Sequence, residues 1–106
     1  MSGSDLFTGT LNILILRTLR ENPLHGYAIG RGIRNTSRGV LDVDEGALYP
    51  ALHRLERQGF LSSEWGRTET KRRAKFYTLT RAGAKHLEVE SERWSDFSEA
   101  VQAVLG

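Results

Sequence analysis

Leu48, Leu52 and Leu55 stand at i, i+4 and i+7, the spacing of a single apolar stripe on a helix. Gly46, Pro50, His53, Arg54 and Arg57 fall broadly on the other side. Gly59 follows, a residue that readily takes the left-handed conformation closing a helix. The pattern predicts a short helix from about Gly46 to Gly59 with an apolar back and a cationic front. Pro50 removes a hydrogen bond, at about 3 kcal/mol or more inside a helix. Near the helix start the loss is smaller, so a slightly irregular first turn is expected. The stripe runs straight across it, which predicts one helix rather than two. Asp44 suits its N-cap, and Glu45 suits the positive end of its dipole.

The segments before it read the same way. Met1 to Asp5 predicts a frayed start. Leu6 to Glu21 has a helical pattern, with Leu11, Leu14 and Leu16/Leu19 as its stripe and Ile13 and Ile15 as apolar surplus on other sides. Such a helix is buried on more than one face, and a second copy of the chain is the simplest second cover. Asn22-Pro23 ends it. A second helix is expected from about Gly26 to Asn35, packed through Tyr27, Ile29 and Ile33, with Arg31, Arg34 and Arg38 along its polar side and exit. Val40 to Val43 is a short strand candidate.

After Gly59, the stretch Leu61 to Trp65 alternates with period two and puts Leu61, Ser63 and Trp65 on one face. Lys75 to Leu79 is a second strand rich in aromatic and β-branched types. Between them, Gly66 to Ala74 predicts a long basic tip. Thr80 caps a last helix, Arg81 to about Leu105. Leu87, Trp94, Phe97, Val101 and Val104 share one seam at heptad-like spacing, interrupted by Glu90. One small domain does not easily cover a helix so long, so the seam, with Leu11 and Ile15 of the first helix, reads as a contact between two copies.

Composition narrows the function classes. The chain has 106 residues, ordinary apolar and charged fractions, and no cysteine. It suits one domain, and disulfides, thiolate metal sites and cysteine nucleophiles are excluded. The apolar run Leu11 to Leu16 is broken by Asn12 and too short to cross a bilayer. No secretory signal is visible, so a cytoplasmic location is expected by default. Net charge is +2, but unevenly spread: Glu45 to Thr80 holds seven Lys/Arg against four acids, and Arg81 to Gly106 three against five. The basic island suggests a polyanionic partner. His25, His53 and His86 stand in no metal-ligand spacing, and no phosphate loop or nucleophile motif is present. No enzyme, metal or cofactor is expected. His25, alone, reads as a cap or packing residue.

The predicted order is helix, helix, short strand, helix, two-stranded hairpin, long helix. This is a mainly α fold with a small β-hairpin wing: a winged helix-turn-helix in residues 1–80, and a C-terminal dimerisation helix in residues 81–106 packed on the same single domain. In that fold the third helix enters the major groove of duplex DNA and the hairpin lies along the backbone or the neighbouring minor groove. Tyr49, His53, Arg54 and Arg57 are the candidates for reading bases or fixing register, and Lys71, Arg72, Arg73 and Lys75 for phosphate contact.

Three motifs together resemble the PadR family of bacterial transcriptional regulators. They are Pro23-x-His25-Gly26-Tyr27, then Gly46-x-Leu48-Tyr49-Pro50-x-Leu52-x-x-Leu55-x-x-x-Gly59, then Lys71-Arg-Arg-Ala-Lys-Phe-Tyr77-x-Leu79-Thr80-x-x-Gly83. The short C-terminal segment is similar to the subfamily with one C-terminal helix. The resemblance implies a homodimer that represses transcription from a palindromic operator. It also implies that some members bind aromatic or cationic drugs between subunits. Trp94 and Phe97 are positioned to line such a slot for a small aromatic effector, although plain interface packing is the commoner role of such a pair. The rival reading is a winged-helix module that binds protein and not DNA.

Overall fold

Backbone pairing decides what the short segments become. The computed structural model describes the backbone of residues 3–106 and the side chains of residues 9–106. In chain order these form α1 (Gly3–Thr18), β1 (Leu24–His25), α2 (Gly26–Thr36), α3 (Glu45–Arg57), β2 (Leu61–Arg67), β3 (Arg73–Leu79) and α4 (Arg81–Leu105). The three strands make one antiparallel sheet in the order β1-β3-β2. The mainly helical fold with a hairpin wing and a long last helix is the one the pattern predicts.

α1 lies at the centre and touches α2, α3 and α4. Its core-facing residues are Leu11, Ile15, Leu16 and Leu19. Leu14, expected in the stripe, is only half-buried, while Ile15 is fully covered. The helix starts at Gly3 and stops at Thr18, earlier at both ends than the leucine pattern sets it. Met1 and Ser2, part of the expected frayed start, lie outside the described residues; Gly3 to Asp5 are helical. At the far end the Thr18 hydroxyl donates to the Leu14 carbonyl at 2.6 Å, and the Arg20 N–H turns to the Arg17 carbonyl. This tighter i−3 turn closes the helix ahead of Asn22-Pro23.

Val40 to Val43 does not form the expected strand. Arg38 and Gly39 have positive φ angles of 56° and 82°, and the Leu41 N–H is taken by the Ser37 hydroxyl at 3.0 Å. The segment is thereby curled into a loop, away from any sheet edge. The third strand is instead Leu24–His25, which pairs with Tyr77 and Phe76 along the open edge of β3. His25 is a cap, as read from the sequence: its Nδ1 accepts from the Ala28 N–H at 3.4 Å and starts α2. Tyr27 is not a packing residue. It is 60% exposed, with its ring stacked beside His25 and its hydroxyl accepting from Arg31. Ile29 and Ile33 carry the packing of α2 alone.

α3 runs unbroken through Pro50. Asp44 caps it, accepting from the Ala47 N–H at 2.9 Å. Leu48, Ala51, Leu52 and Leu55 form its buried face. Gly59 ends it at φ 84°, with the Phe60 N–H bonded to the Leu55 carbonyl and the Gly59 N–H to that of Glu56. That pairing is a Schellman motif and explains the glycine.

The wing is longer in strand and shorter in tip than expected. Gly66, Arg67, Arg73 and Ala74 belong to the ladder, which runs from Leu61↔Leu79 to Arg67↔Arg73. Only Thr68 to Arg72 turn, through a Thr68 N–H bond to the Arg72 carbonyl and a left-handed Lys71 at φ 63°. Those local bonds pull the flanking residues into register. At the base of the wing Thr80 caps α4: its hydroxyl accepts from the Gly83 N–H at 2.9 Å and donates to the Gly59 carbonyl at 2.7 Å. The end of α3 and the start of α4 are therefore joined by one side chain. Leu87 of α4 lies in the same core as Leu11 and Ile15.

Candidate nucleic-acid interface

On α3, Tyr49, His53 and Arg57 are four residues apart and share one face, opposite the buried leucines. All three are exposed, and Arg54 beside them is half-buried. Tyr49 is seated against Gly26: a Cβ there would lie 2.7 Å from its ring. The glycine of the His25-Gly26-Tyr27 motif thus lets the first turn of α3 approach the start of α2, which fixes the helix-turn-helix crossing. Arg54 and Arg57 occupy the last turn, the negative end of the helix dipole, where a cation is favoured.

The wing candidates separate into two groups. Lys71, Arg72 and Arg73 are exposed. Arg73 lies over the indole of Trp65, 4.6 Å from the ring centroid, a cation–π contact that supports its side chain. Trp65 shares the face of Leu61 and Ser63, as the alternation predicts, yet it is 61% exposed because the core ends before it. Lys75 differs. Its Nζ stands 3.4 Å from Glu56 Oε1, and among the described residues it is the one candidate of the eight in an ion pair. Glu56 is on α3 and also accepts from the Ser63 hydroxyl of β2. Helix and wing are tied by this carboxylate. Sequence reading passed over Glu56 and Ser63, because neither is cationic.

The Ser63 hydroxyl, and after it the Lys75 ammonium, hold the Glu56 carboxyl below its ordinary value of 4.5, against the opposing pull of burial. Burial pushes the Tyr77 phenol up, and the Glu56 charge adds to this. A depressed folded-state pKa gives stability that is present above 4.5 and lost as pH falls through the folded value. The stability difference between the protein and its Glu56→Gln variant, from urea melts, is therefore expected at neutral pH and shrinks as the pH falls below 4.5 through the folded-state value.

On the proposed self-association seam, Leu11, Ile15 and Leu87 are already covered within one chain. Trp94, Phe97, Val101 and Val104 are 42, 42, 39 and 87% exposed. Trp94 reaches back to α1, its indole N–H donating to the Thr10 hydroxyl at 3.3 Å.

The profile of the Transcriptional regulator PadR-like family matches residues 15–89. The chain belongs to that family. A transcriptional regulator from Clostridium thermocellum superposes with a TM-score of 0.86 at 30% identity, over 96% of this chain and 99% of that one. A PadR family transcriptional regulator from Eggerthella lenta is 33% identical with a TM-score of 0.78, over 96% of this chain and 87% of that one. The Escherichia coli transcriptional regulator YqjI is 30% identical over 95 residues, 90% of this chain but 44% of that protein. As a PadR-like regulator the chain is a DNA-binding transcription regulator, and its family acts in transcription and not in catalysis. Among the described residues no helix is long and apolar enough to cross a membrane.

Proposed function

We propose that the protein is a homodimeric repressor that binds a palindromic operator. Each copy inserts α3 into a major groove and lays its wing on the adjoining backbone. Residues 1–80 carry the DNA contacts and the helix of residues 81–106 joins the copies. The supporting observation is the tie between α3 and the wing, which makes one rigid body of two cationic elements. Arg54 and Arg57, with Tyr49 and His53, address base edges. Lys71, Arg72 and Arg73 neutralise phosphates. Trp94 and Phe97 meet their counterparts in the second copy, and a flat aromatic effector slipped between them would act by parting that contact.

The test is selection of duplexes from a random pool, followed by titration across salt. A palindromic winner with half-sites about one helical turn apart, or a multiple of it, is expected. Arg72→Gln and Arg73→Gln should each lower the slope of log affinity against log salt by about two, one phosphate from each copy, without changing the preferred sequence. Arg57→Gln should instead relax the preference at one position. Binding that ignores salt, or no binding, returns the protein-binding module.

A further inference from the structure

The hairpin has a problem that the rest of the fold does not. Beyond Tyr77 its inner face leaves the core and carries the cations Lys75, Arg73 and Arg67 beside an exposed Trp65. A two-stranded ribbon with no core beneath it holds its own angle poorly. From Lys75 to Arg72 is three residues, about 10 Å of strand. A tilt of about 10° at Lys75 thus moves the tip by about 2 Å, enough to shift which phosphates the tip meets relative to α3. Whatever fixes the wing at Lys75 fixes where its arginines fall relative to α3.

One group does so. Glu56 projects from the last full turn of α3 and holds both strands, Ser63 of β2 through Oε2 and Lys75 of β3 through Oε1. The Lys75 Nζ also sits 5.9 Å from the centroid of the buried Tyr77 ring. Its charge is met by a carboxylate from below and a π-face from the side, and both partners of the pair are about two-thirds covered. Arg72 and Lys71 at the tip have no such engagement among the described residues.

We infer that Glu56 is a positioning residue for DNA recognition, and that Lys75 is a strut it holds rather than a phosphate ligand. This rests on the reading of α3 and the wing as the DNA-binding elements. The carboxylate sets the angle between reading helix and wing, and it withholds from DNA a lysine that would otherwise add affinity without selectivity. Specificity therefore depends on an acidic residue in the middle of a basic surface.

The experiment compares two duplexes, one enriched from the random pool and one of unrelated sequence, across a salt series. Lys75→Gln is expected to leave the salt slope unchanged while Arg72→Gln lowers it by about two, one phosphate from each copy. Glu56→Gln frees Lys75 in both copies and raises the slope for unrelated DNA by about two. Both Glu56→Gln and Lys75→Gln reduce the preference for the enriched duplex about a hundredfold, the scale of one lost base contact in each half-site. The exchanged pair Glu56→Lys with Lys75→Glu keeps the net charge and is expected to restore that preference. Ser63→Ala removes only a hydroxyl and, should Glu56→Gln fold poorly, is expected to lower preference with the slope intact. A slope that drops by about two in Lys75→Gln with preference retained makes Lys75 an ordinary phosphate ligand and overturns the inference alone. Failure of the unaltered protein to bind either duplex overturns the DNA-binding reading beneath it.

Discussion

Replacing Gly83 by alanine is expected to destabilise the protein by about 3 kcal/mol, the upper range for forcing an extra carbon into a packed site. The added Cβ would collide with the carbonyl oxygen of Phe60 and stand 2.8 Å from a Leu79 methyl. The leucine is able to turn away; the carbonyl is not. It is fixed as the acceptor of the Thr80 N–H at 3.2 Å, and Phe60 is itself held by the Schellman bond to Leu55. Relief requires α4 to move off the end of α3, which breaks the Thr80 bonds to Gly59 and Gly83 as well. For a chain of this size the loss corresponds to a melting temperature lower by about 12–24 °C. Gly30→Ala is the control. It is also helical, but its Cβ meets only a Leu48 methyl at an ordinary 3.6 Å. That exchange is expected to be neutral or to stabilise by up to about 1 kcal/mol, through helix propensity. Thermal melts at fixed protein concentration check both, and equal effects at the two positions would deny the close packing at Gly83.

The same glycine shows what sequence discloses and what it hides. Gly83 was visible only as part of a family-like motif, because its reason is a carbonyl 23 positions earlier in the chain. Periodicity has no access to such a contact. Where the cause is local, residues were enough: Asp44 and Thr80 cap helices, Gly59 ends one, and Leu48, Leu52 and Leu55 face inward. Val40 to Val43 misled because β-branched residues only permit a strand; a free edge must also be at hand, and β3 gave its edge to Leu24–His25. Tyr27 misled because a large ring next to two isoleucines looks like core, while its position on the wheel turns it to solvent. At the candidate interface the cations were legible as charge. Which of them is already engaged was not, since the carboxylate that meets Lys75 and the indole beneath Arg73 come from residues distant in sequence.

The largest effect on function is expected from Trp94→Ala combined with Phe97→Ala. α4 is 25 residues long, yet its buried side chain is Leu87, and Trp94 further along makes an exposed bond to Thr10 of α1. Past that point Phe97 and Val101 stay 42 and 39% exposed and Val104 87% exposed in the single chain. In a two-fold dimer each residue occurs twice, so two substitutions remove four aromatic rings from one contact. Truncating a buried interface aromatic costs about 2 kcal/mol or more, and such costs are not fully additive. Self-association weakened by at least about three orders of magnitude is a conservative expectation. Operator affinity falls with it, because a single copy spans one half-site and forfeits the shared attachment of the second. The slope against salt should fall toward half, since half the phosphates are met. The fold should persist, as Trp94 and Phe97 lie outside the buried cluster and the Trp94 bond to Thr10 is an exposed one. Sedimentation and circular dichroism separate the outcomes. A monomer with intact helices and weak, half-slope binding supports the seam, whereas a variant that remains dimeric and binds the operator as before places the contact elsewhere on the chain.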